Sequence, residues 1–158
     1  MKYLIVYMSH HGTTQKVVNE LKIKLGENET TTVNLDVDTV PALSKFECII
    51  IGGSIHMGQI QKQIQRFCMD HQHELITHRL GLFLCFMNKE HGKEEFENAY
   101  PVELRKYSSA DGLFGGELLF EKMNFMEKVV TRKVSGVSES VSAIDEKAIG
   151  SFAEAIQI

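Results

Sequence analysis

Three runs of nearly unbroken apolar residues constrain the fold of this 158-residue chain more than any other feature. They span 3–8, 46–51 and 80–87, and they consist mainly of branched aliphatic and aromatic side chains. Short, solidly apolar runs are typical of strands that are covered on both faces, as in parallel sheets. Between the first two runs, residues 14–25 carry apolar side chains at helical spacing, which predicts a helix.

The same patterns assign the rest of the chain. Strands are predicted at 2–8, 31–37, 46–51, 80–87 and 111–120, the third ended by Gly52-Gly53 and the last interrupted at Gly115-Gly116. Helices are predicted at 14–25, 59–71, 96–107, 124–134 and 145–156, the third broken by Pro101. Asp145 is the expected N-cap of the last helix, with Ser142 as the alternative. Alternating strands and helices predict one α/β domain over residues 1–158, a three-layer sandwich with a five-stranded parallel sheet of order 2-1-3-4-5.

Composition excludes several classes of protein. The net charge of −4 gives no basic excess to neutralise phosphates, so no nucleic-acid partner is expected. No run approaches the roughly 18 apolar residues of a membrane span, and the N-terminus lacks the features of a signal peptide. The three cysteines are widely spaced without a CxxC motif, which predicts buried free thiols in a reducing cytoplasm.

Ligands of such sheets bind beyond the carboxyl ends of the strands, where the strand order reverses, here between strands 1 and 3. Three polar, glycine-containing loops should meet at that edge, at 9–14, 52–58 and 88–93. The first loop admits three interpretations: a phosphate cradle, a metal site at His10 and His11, or an ordinary polar turn. A cradle is favoured because a helix N-terminus presents backbone N–H groups, Gly12 allows close approach, and Ser9, Thr13 and Thr14 add hydroxyls.

Four segments carry a family resemblance: YLIVYMSHHGTTQKVV, IIIGGSIHMGQIQKQIQRF, GLFLCFMNKE and GLFGGELLFEKMNFMEKVV. Together they resemble flavodoxins, and they are most similar to the flavodoxin-domain group of menaquinone-dependent protoporphyrinogen oxidases. The resemblance implies a flavodoxin-like fold and a flavin mononucleotide (FMN) cofactor.

Site residues follow from the resemblance by position. Ser9, His10, His11, Gly12, Thr13 and Thr14 would hold the phosphate of FMN. Ser54, Ile55, His56, Met57 and Gly58 would line one side of the isoalloxazine ring, with the backbone near Gly58 meeting its N5. Asn88, Lys89, Glu90, His91 and Gly92 would approach the ring from the other side. The chain has no Trp to stack on the ring, so His56, Met57 or His91 would pack there.

The leading hypothesis is a cytoplasmic FMN-dependent oxidoreductase, similar to protoporphyrinogen oxidase, that passes electrons to a quinone or a protein. A porphyrinogen would be its substrate, and haem biosynthesis its setting. Two alternatives are a flavodoxin-type electron carrier without its own substrate and an interaction module without flavin.

Two further clusters have both a structural and a functional interpretation. Apolar residues at helical spacing on 123–134, with four basic neighbours, predict a core-facing helix; the alternative is a docking surface for a redox partner or for the inner face of the membrane. His71, His73 and His78, close to Glu74, fit a solvated helix end better than a metal site.

Overall fold

The structure is a computed structural model that describes residues 1–9, 12–86, 89–118, 141–142 and 144–158. The strands are β1 (Tyr3–Tyr7), β2 (Thr30–Asn34), β3 (Cys48–His56), β4 (Gln59–Ile60), β5 (Arg79–Cys85), β6 (Ala110–Leu113), β7 (Glu117–Leu118) and β8 (Val141–Ser142). The helices are α1 (Thr13–Leu25), α2 (Lys62–Asp70), α3 (Gln72–Leu75), α4 (Gly92–Ala99), α5 (Val102–Tyr107) and α6 (Glu146–Gln157), with short 3-10 helices at Leu43–Lys45 and Lys89–His91.

Five parallel strands form the main sheet in the order β2-β1-β3-β5-β6, and β4 pairs antiparallel with the end of β3. Counted along the chain, the five parallel strands have the order 2-1-3-4-5, so the predicted α/β architecture is confirmed. In the described part of the chain, β7 and β8 form a separate antiparallel pair.

Alternate residues of β1 enter the two apolar cores. Leu4 and Val6 pack into the core beneath α2, α4 and α5, whereas Tyr3, Ile5 and Tyr7 pack into the core beneath α1 and α6. All five side chains are buried, as the solidly apolar run predicts. The sheet is therefore the middle layer of a three-layer sandwich.

The third strand is longer than the sequence predicts. The pair Gly52-Gly53 does not end it: β3 continues to His56, and Gln59 and Ile60 form β4 instead of the first turn of a helix. The reason is local packing: an added Cβ at Gly52 would lie 1.9 Å from the Phe83 ring, so this glycine makes room for a neighbouring side chain. It does not mark a turn.

Other boundaries also differ from the prediction, among them the end of the strand predicted at 111–120, which stops at Leu113. Strand β2 ends at Asn34 rather than at residue 37, because Asn34 begins a turn in which its N–H donates to Asp38 Oδ2 at 2.9 Å. The helix expected at 96–107 begins earlier, at Gly92, and is two helices separated at Pro101. The break at proline agrees with the prediction.

The last helix begins as predicted. Asp145 is its N-cap, and the carboxylate accepts a hydrogen bond from the Ala148 N–H at 3.0 Å, so the alternative cap at Ser142 is wrong. The helix predicted at 124–134, with its apolar and basic stripe, lies outside the described residues.

Candidate functional site

The carboxyl ends of β1, β3 and β5 lie side by side at one edge of the sheet. Tyr7, the last residue of β1, pairs with Gly52, and Ser54 pairs with Cys85, the last residue of β5. The three segments that follow these positions therefore start at the same edge, as the sequence predicts. We call this region the carboxyl edge.

The first loop ends in a helix start that no described side chain caps. Gly12 is the N-cap of α1 with φ 88°, a left-handed conformation that favours glycine, and the first turn contains no acidic residue. The Gly12 N–H donates to Ser9 Oγ at 3.1 Å, and the Ser9 N–H donates to Asn34 Oδ1 at 3.4 Å. The loop is therefore braced by side chains, whereas the N–H groups of the first helical turn have no side-chain acceptor among the described residues. His10 and His11 lie outside the described residues.

The two threonines of this loop have different environments. Thr13 is partly exposed, but Thr14 is only 1% exposed, and its side chain lowers the pKa of the Cys85 thiol against the larger, opposite effect of burial. From the sequence, both hydroxyls are expected at a phosphate, but in the structure the side chain of Thr14 is buried. Only the backbone of Thr14 remains available at the helix start.

The second segment is a hydrogen-bonded hairpin and not a loop. Ile55 and His56 at the end of β3 pair with Ile60 and Gln59 of β4. Met57 and Gly58 form the two-residue turn, with φ 53° and 81°, which is the sign pattern of a type I′ hairpin. Met57 is 69% exposed, and His56 at the end of β3 is also exposed, so the hairpin presents both side chains outward at the carboxyl edge.

Gln61 joins this hairpin to β1, a role that the sequence interpretation missed. Its Oε1 accepts from the Ser54 N–H at 3.0 Å, and its Nε2 donates to the Met8 carbonyl at 3.3 Å and to Ser54 Oγ at 2.9 Å. No sequence signal identifies this residue, because a glutamine before an amphipathic helix is ordinary.

The third segment is only partly described. Asn88 lies outside the described residues, and Lys89, Glu90 and His91 form a 3-10 helix that leads into α4. Gly92 is explained by packing, since an added Cβ would lie 2.6 Å from the Phe86 ring.

Acidic and basic groups meet at the start of α4. His91 Nδ1 lies 3.8 Å from Glu94 Oε2, on the surface. The pKa of Glu95 is raised, mainly by burial of its carboxyl group, with a smaller opposite effect of His91 and a repulsive effect of Glu94. One of its carboxylate oxygens is buried without a hydrogen-bond partner among the described atoms.

The tyrosines do not reach the carboxyl edge with an exposed ring. Tyr3, Tyr7 and Tyr100 are buried, and the Tyr7 hydroxyl donates to Gln15 Oε1. Tyr107 is exposed, but it ends α5 just before β6 starts, at the opposite edge of the sheet. Met57, His56 and His91, which the sequence indicates as groups to pack a ring, are exposed.

The cysteines are free and buried, as predicted. Burial raises the thiol pKa to about 12 for each. In the described ranges, no group of three or more His, Cys, Asp and Glu side chains is arranged to hold a metal ion. No helix among the described residues is long and apolar enough to cross a membrane.

A family model for the flavodoxin domain matches residues 4–143. The chain belongs to the flavodoxin-domain family. No curated protein matches it. Among solved structures, a short-chain flavodoxin associated with a non-canonical PDU bacterial microcompartment is 15% identical with a TM-score of 0.62, and the match covers 99% of this chain and 97% of that one.

Two other solved structures show the same fold. A flavodoxin, WrbA-like protein from Agrobacterium tumefaciens is 14% identical with a TM-score of 0.56, over 98% of each chain. A Fusobacterium nucleatum flavodoxin bound to flavin mononucleotide is 17% identical with a TM-score of 0.52, over 70% of this chain and 69% of that one. At these identities the likeness establishes the flavodoxin-like fold.

Proposed function

We propose that this flavodoxin-domain chain binds FMN at the carboxyl edge and transfers electrons between a reduced donor and an acceptor that is a redox protein or a quinone. The observation that carries the proposal is the start of α1, where backbone N–H groups without a side-chain cap follow the left-handed Gly12. An anion is the natural partner for such a helix start, because the N–H groups and the helix dipole both favour negative charge.

The residues present fit a flavin monophosphate. The first turn of α1 offers neutral donors and no carboxylate that would repel a phosphate. The β3–β4 hairpin presents the exposed thioether of Met57, and a flavin ring is a large apolar surface that such a side chain can cover. Bound FMN would supply the one- and two-electron chemistry, and the protein would hold and orient it.

In this proposal the residues keep the roles expected from the sequence, except for Thr14 and Gly92. Thr14 would contribute its N–H rather than its hydroxyl, because its side chain is buried. Gly92 would serve helix packing against Phe86 rather than close approach to the ring. Ser9, Gly12 and Thr13 would hold the phosphate, with His10 and His11 beside it, and Ser54, Ile55, His56, Met57 and Gly58 would line the ring. Asn88, Lys89, Glu90 and His91 would face its other side.

The first test compares the binding of FMN with that of riboflavin, which lacks the phosphate. Binding is measured by the change in flavin absorbance and by isothermal titration calorimetry. We expect FMN to bind with micromolar or tighter affinity and riboflavin at least about tenfold more weakly, since one good charge-assisted interaction exceeds about 1.4 kcal/mol. A purified protein that stays colourless and takes up no FMN refutes the proposal and favours an interaction module without flavin.

A charge placed at Thr13 tests the position of the phosphate. In Thr13→Glu, the carboxylate stands at the start of α1 and should stabilise the apoprotein by about 0.3–1 kcal/mol through the helix dipole. The same charge should weaken FMN binding by repulsion and leave riboflavin binding unchanged. Thr13→Gln is the control of similar size without charge. Equal losses for FMN and riboflavin would place the phosphate elsewhere.

Oxidation of a porphyrinogen with menaquinone as acceptor is the finer proposal. It rests on the four sequence segments, the last of which lies largely outside the described residues. Turnover of protoporphyrinogen by the FMN-loaded protein with menaquinone separates this enzyme from a carrier, which would exchange electrons only with another protein. The buried free thiols suit a cytoplasmic setting for either activity.

A further inference from the structure

The side-chain amide of Gln61 connects two segments of the carboxyl edge that are distant in sequence. One end of the amide reaches back to the Met8 carbonyl just beyond β1, and the other holds the backbone N–H and the hydroxyl of Ser54 in β3. Beyond Gly52, β3 no longer pairs with β1, so this amide is a direct link between them at that point.

The Ser54 N–H fixes the orientation of the Gln61 amide. The Ser54 N–H can only donate, so the atom of Gln61 that meets it must be the oxygen, and the two N–H groups of Gln61 then donate to Met8 O and Ser54 Oγ. Ser54 Oγ accepts one of them, which leaves its own hydrogen for the next neighbour. That neighbour is His56 Nε2, at 3.2 Å. A serine oxygen that accepts one hydrogen bond can either donate its hydrogen to a neighbour or accept a second bond, so the contact by itself allows both neutral forms of the ring. Donation by Ser54 makes Nε2 the acceptor and puts the ring proton on Nδ1.

We propose that Gln61 is a positioning residue of the carboxyl edge, which joins the end of β1 to the β3–β4 hairpin and, through Ser54, sets the Nδ1–H tautomer of neutral His56. The inference rests on the proposed function for its effect on FMN, since His56 belongs to the hairpin that would line the ring. Its effect on the tautomer is a property of the protein alone.

The backbone around Gln61 is shaped to admit the amide. An added Cβ at Gly53 would lie 2.6 Å from Gln61 Oε1 and 3.0 Å from two side-chain carbons of Ile60. Glycine at this position of β3 therefore allows Gln61 and Ile60 to pack directly onto the strand. This accounts for Gly53, which the sequence pattern places at the end of the strand.

The experiment compares Gln61→Leu with Gln63→Leu, which makes the same change at an exposed position two residues later. Ser54→Ala removes only the hydroxyl in the middle of the chain of hydrogen bonds, and it keeps the proposal testable if Gln61→Leu folds poorly. The first readout is the ¹⁵N shifts of the His56 ring in apoprotein at alkaline pH, where imidazole is neutral. The second is the affinity for FMN and the reduction potentials of the bound flavin.

We expect the wild type and Gln63→Leu to show His56 mainly as the Nδ1–H tautomer. Gln61→Leu and Ser54→Ala should both lose this preference. Gln61→Leu should also bind FMN about tenfold more weakly, the effect of one lost positioning hydrogen bond. If the loss falls on one redox state, the potential shifts by about 59 mV for one electron.

The possible failures are distinguishable. If wild-type protein binds no FMN but His56 shows the expected tautomer change in the variants, the proposed function is wrong and the Gln61 link to His56 stands. If the wild type binds FMN while Gln61→Leu and Ser54→Ala leave the tautomer, the affinity and the potentials unchanged, the positioning role of Gln61 is overturned.

Discussion

Replacing Gly52 with alanine adds one methyl group at the most crowded position of the central strand. The new Cβ would stand 1.9, 2.1 and 2.2 Å from three carbons of the Phe83 ring. Carbon atoms in contact are ordinarily about 3.5–4.0 Å apart, so the ring or the strand must move by roughly 1.5 Å.

The Phe83 ring has little freedom to make that movement. It stacks on Phe114 with ring centroids 5.1 Å apart, and it meets Phe152 edge-on at 6.3 Å. Gly52 itself is paired on both sides, with Tyr7 of β1 and with Phe83 of β5. Overpacking of a rigid core costs about 1–3 kcal/mol, and we expect Gly52→Ala to fall at the upper end, near 3 kcal/mol.

Urea unfolding of the apoprotein, followed by circular dichroism, measures this cost, and a double mutant isolates its cause. Phe83→Leu removes the ring atoms that clash, so Gly52→Ala should cost at least about 1 kcal/mol less in that background than in the wild type. Gly150→Ala is the control for adding a methyl group, because a Cβ at this position of α6 would have no atom within 4 Å among the described neighbours outside its own helix. Additive effects of Gly52→Ala and Phe83→Leu would refute the steric explanation.

Three more outcomes follow from burial, charge and backbone conformation. Thiol reagents should label none of the three cysteines in the native protein at neutral pH and all three after unfolding, because burial raises each thiol pKa to about 12. Burial also raises the pKa of Glu95, so the carboxyl group binds its proton more tightly in the folded state than in the unfolded state. The folded state therefore loses stability as the pH rises and Glu95 ionises. Glu95→Gln should raise the melting temperature at about pH 8 and not at about pH 3. Gly150→Ala should stabilise the apoprotein by about 0.5–1 kcal/mol, whereas Gly12→Ala, at φ 88°, should destabilise it by about 1–2 kcal/mol; equal melting temperatures for the two variants would contradict this.

The strand order could be predicted because burial on both faces leaves a signal in the sequence itself. In β1, neighbouring residues enter opposite cores, so apolar side chains are required at every position. The pair Gly52-Gly53 could not be interpreted in the same way. Glycine marks a strand end in many sequences, and only the structure shows that Phe83 and Gln61 occupy the space of the two missing side chains.

The candidate site likewise contains features that the sequence reveals and features that it does not. Gly12 is identifiable as the turn into α1 because its place between a strand and an amphipathic helix is visible locally. The burial of the Thr14 side chain and the links made by Gln61 depend on residues far away in sequence. Contacts of that kind leave no periodic pattern, so sequence reasoning had no means of finding them.

The extended β3 has a kinetic consequence. Four residues, Gly53 to His56, continue past the last pair with β1, which is a projection of about 13 Å beyond the end of that neighbour. Their partners in β5 and β4 hold this arm in place, and fixing a residue costs about 1–2 kcal/mol of backbone entropy. This entropy cost is already included in folding, so this side of the proposed FMN site is formed before the ligand binds. If no other part of the site must rearrange, FMN should associate in one step. The observed rate constant of binding should then rise linearly with FMN concentration and should not reach a plateau.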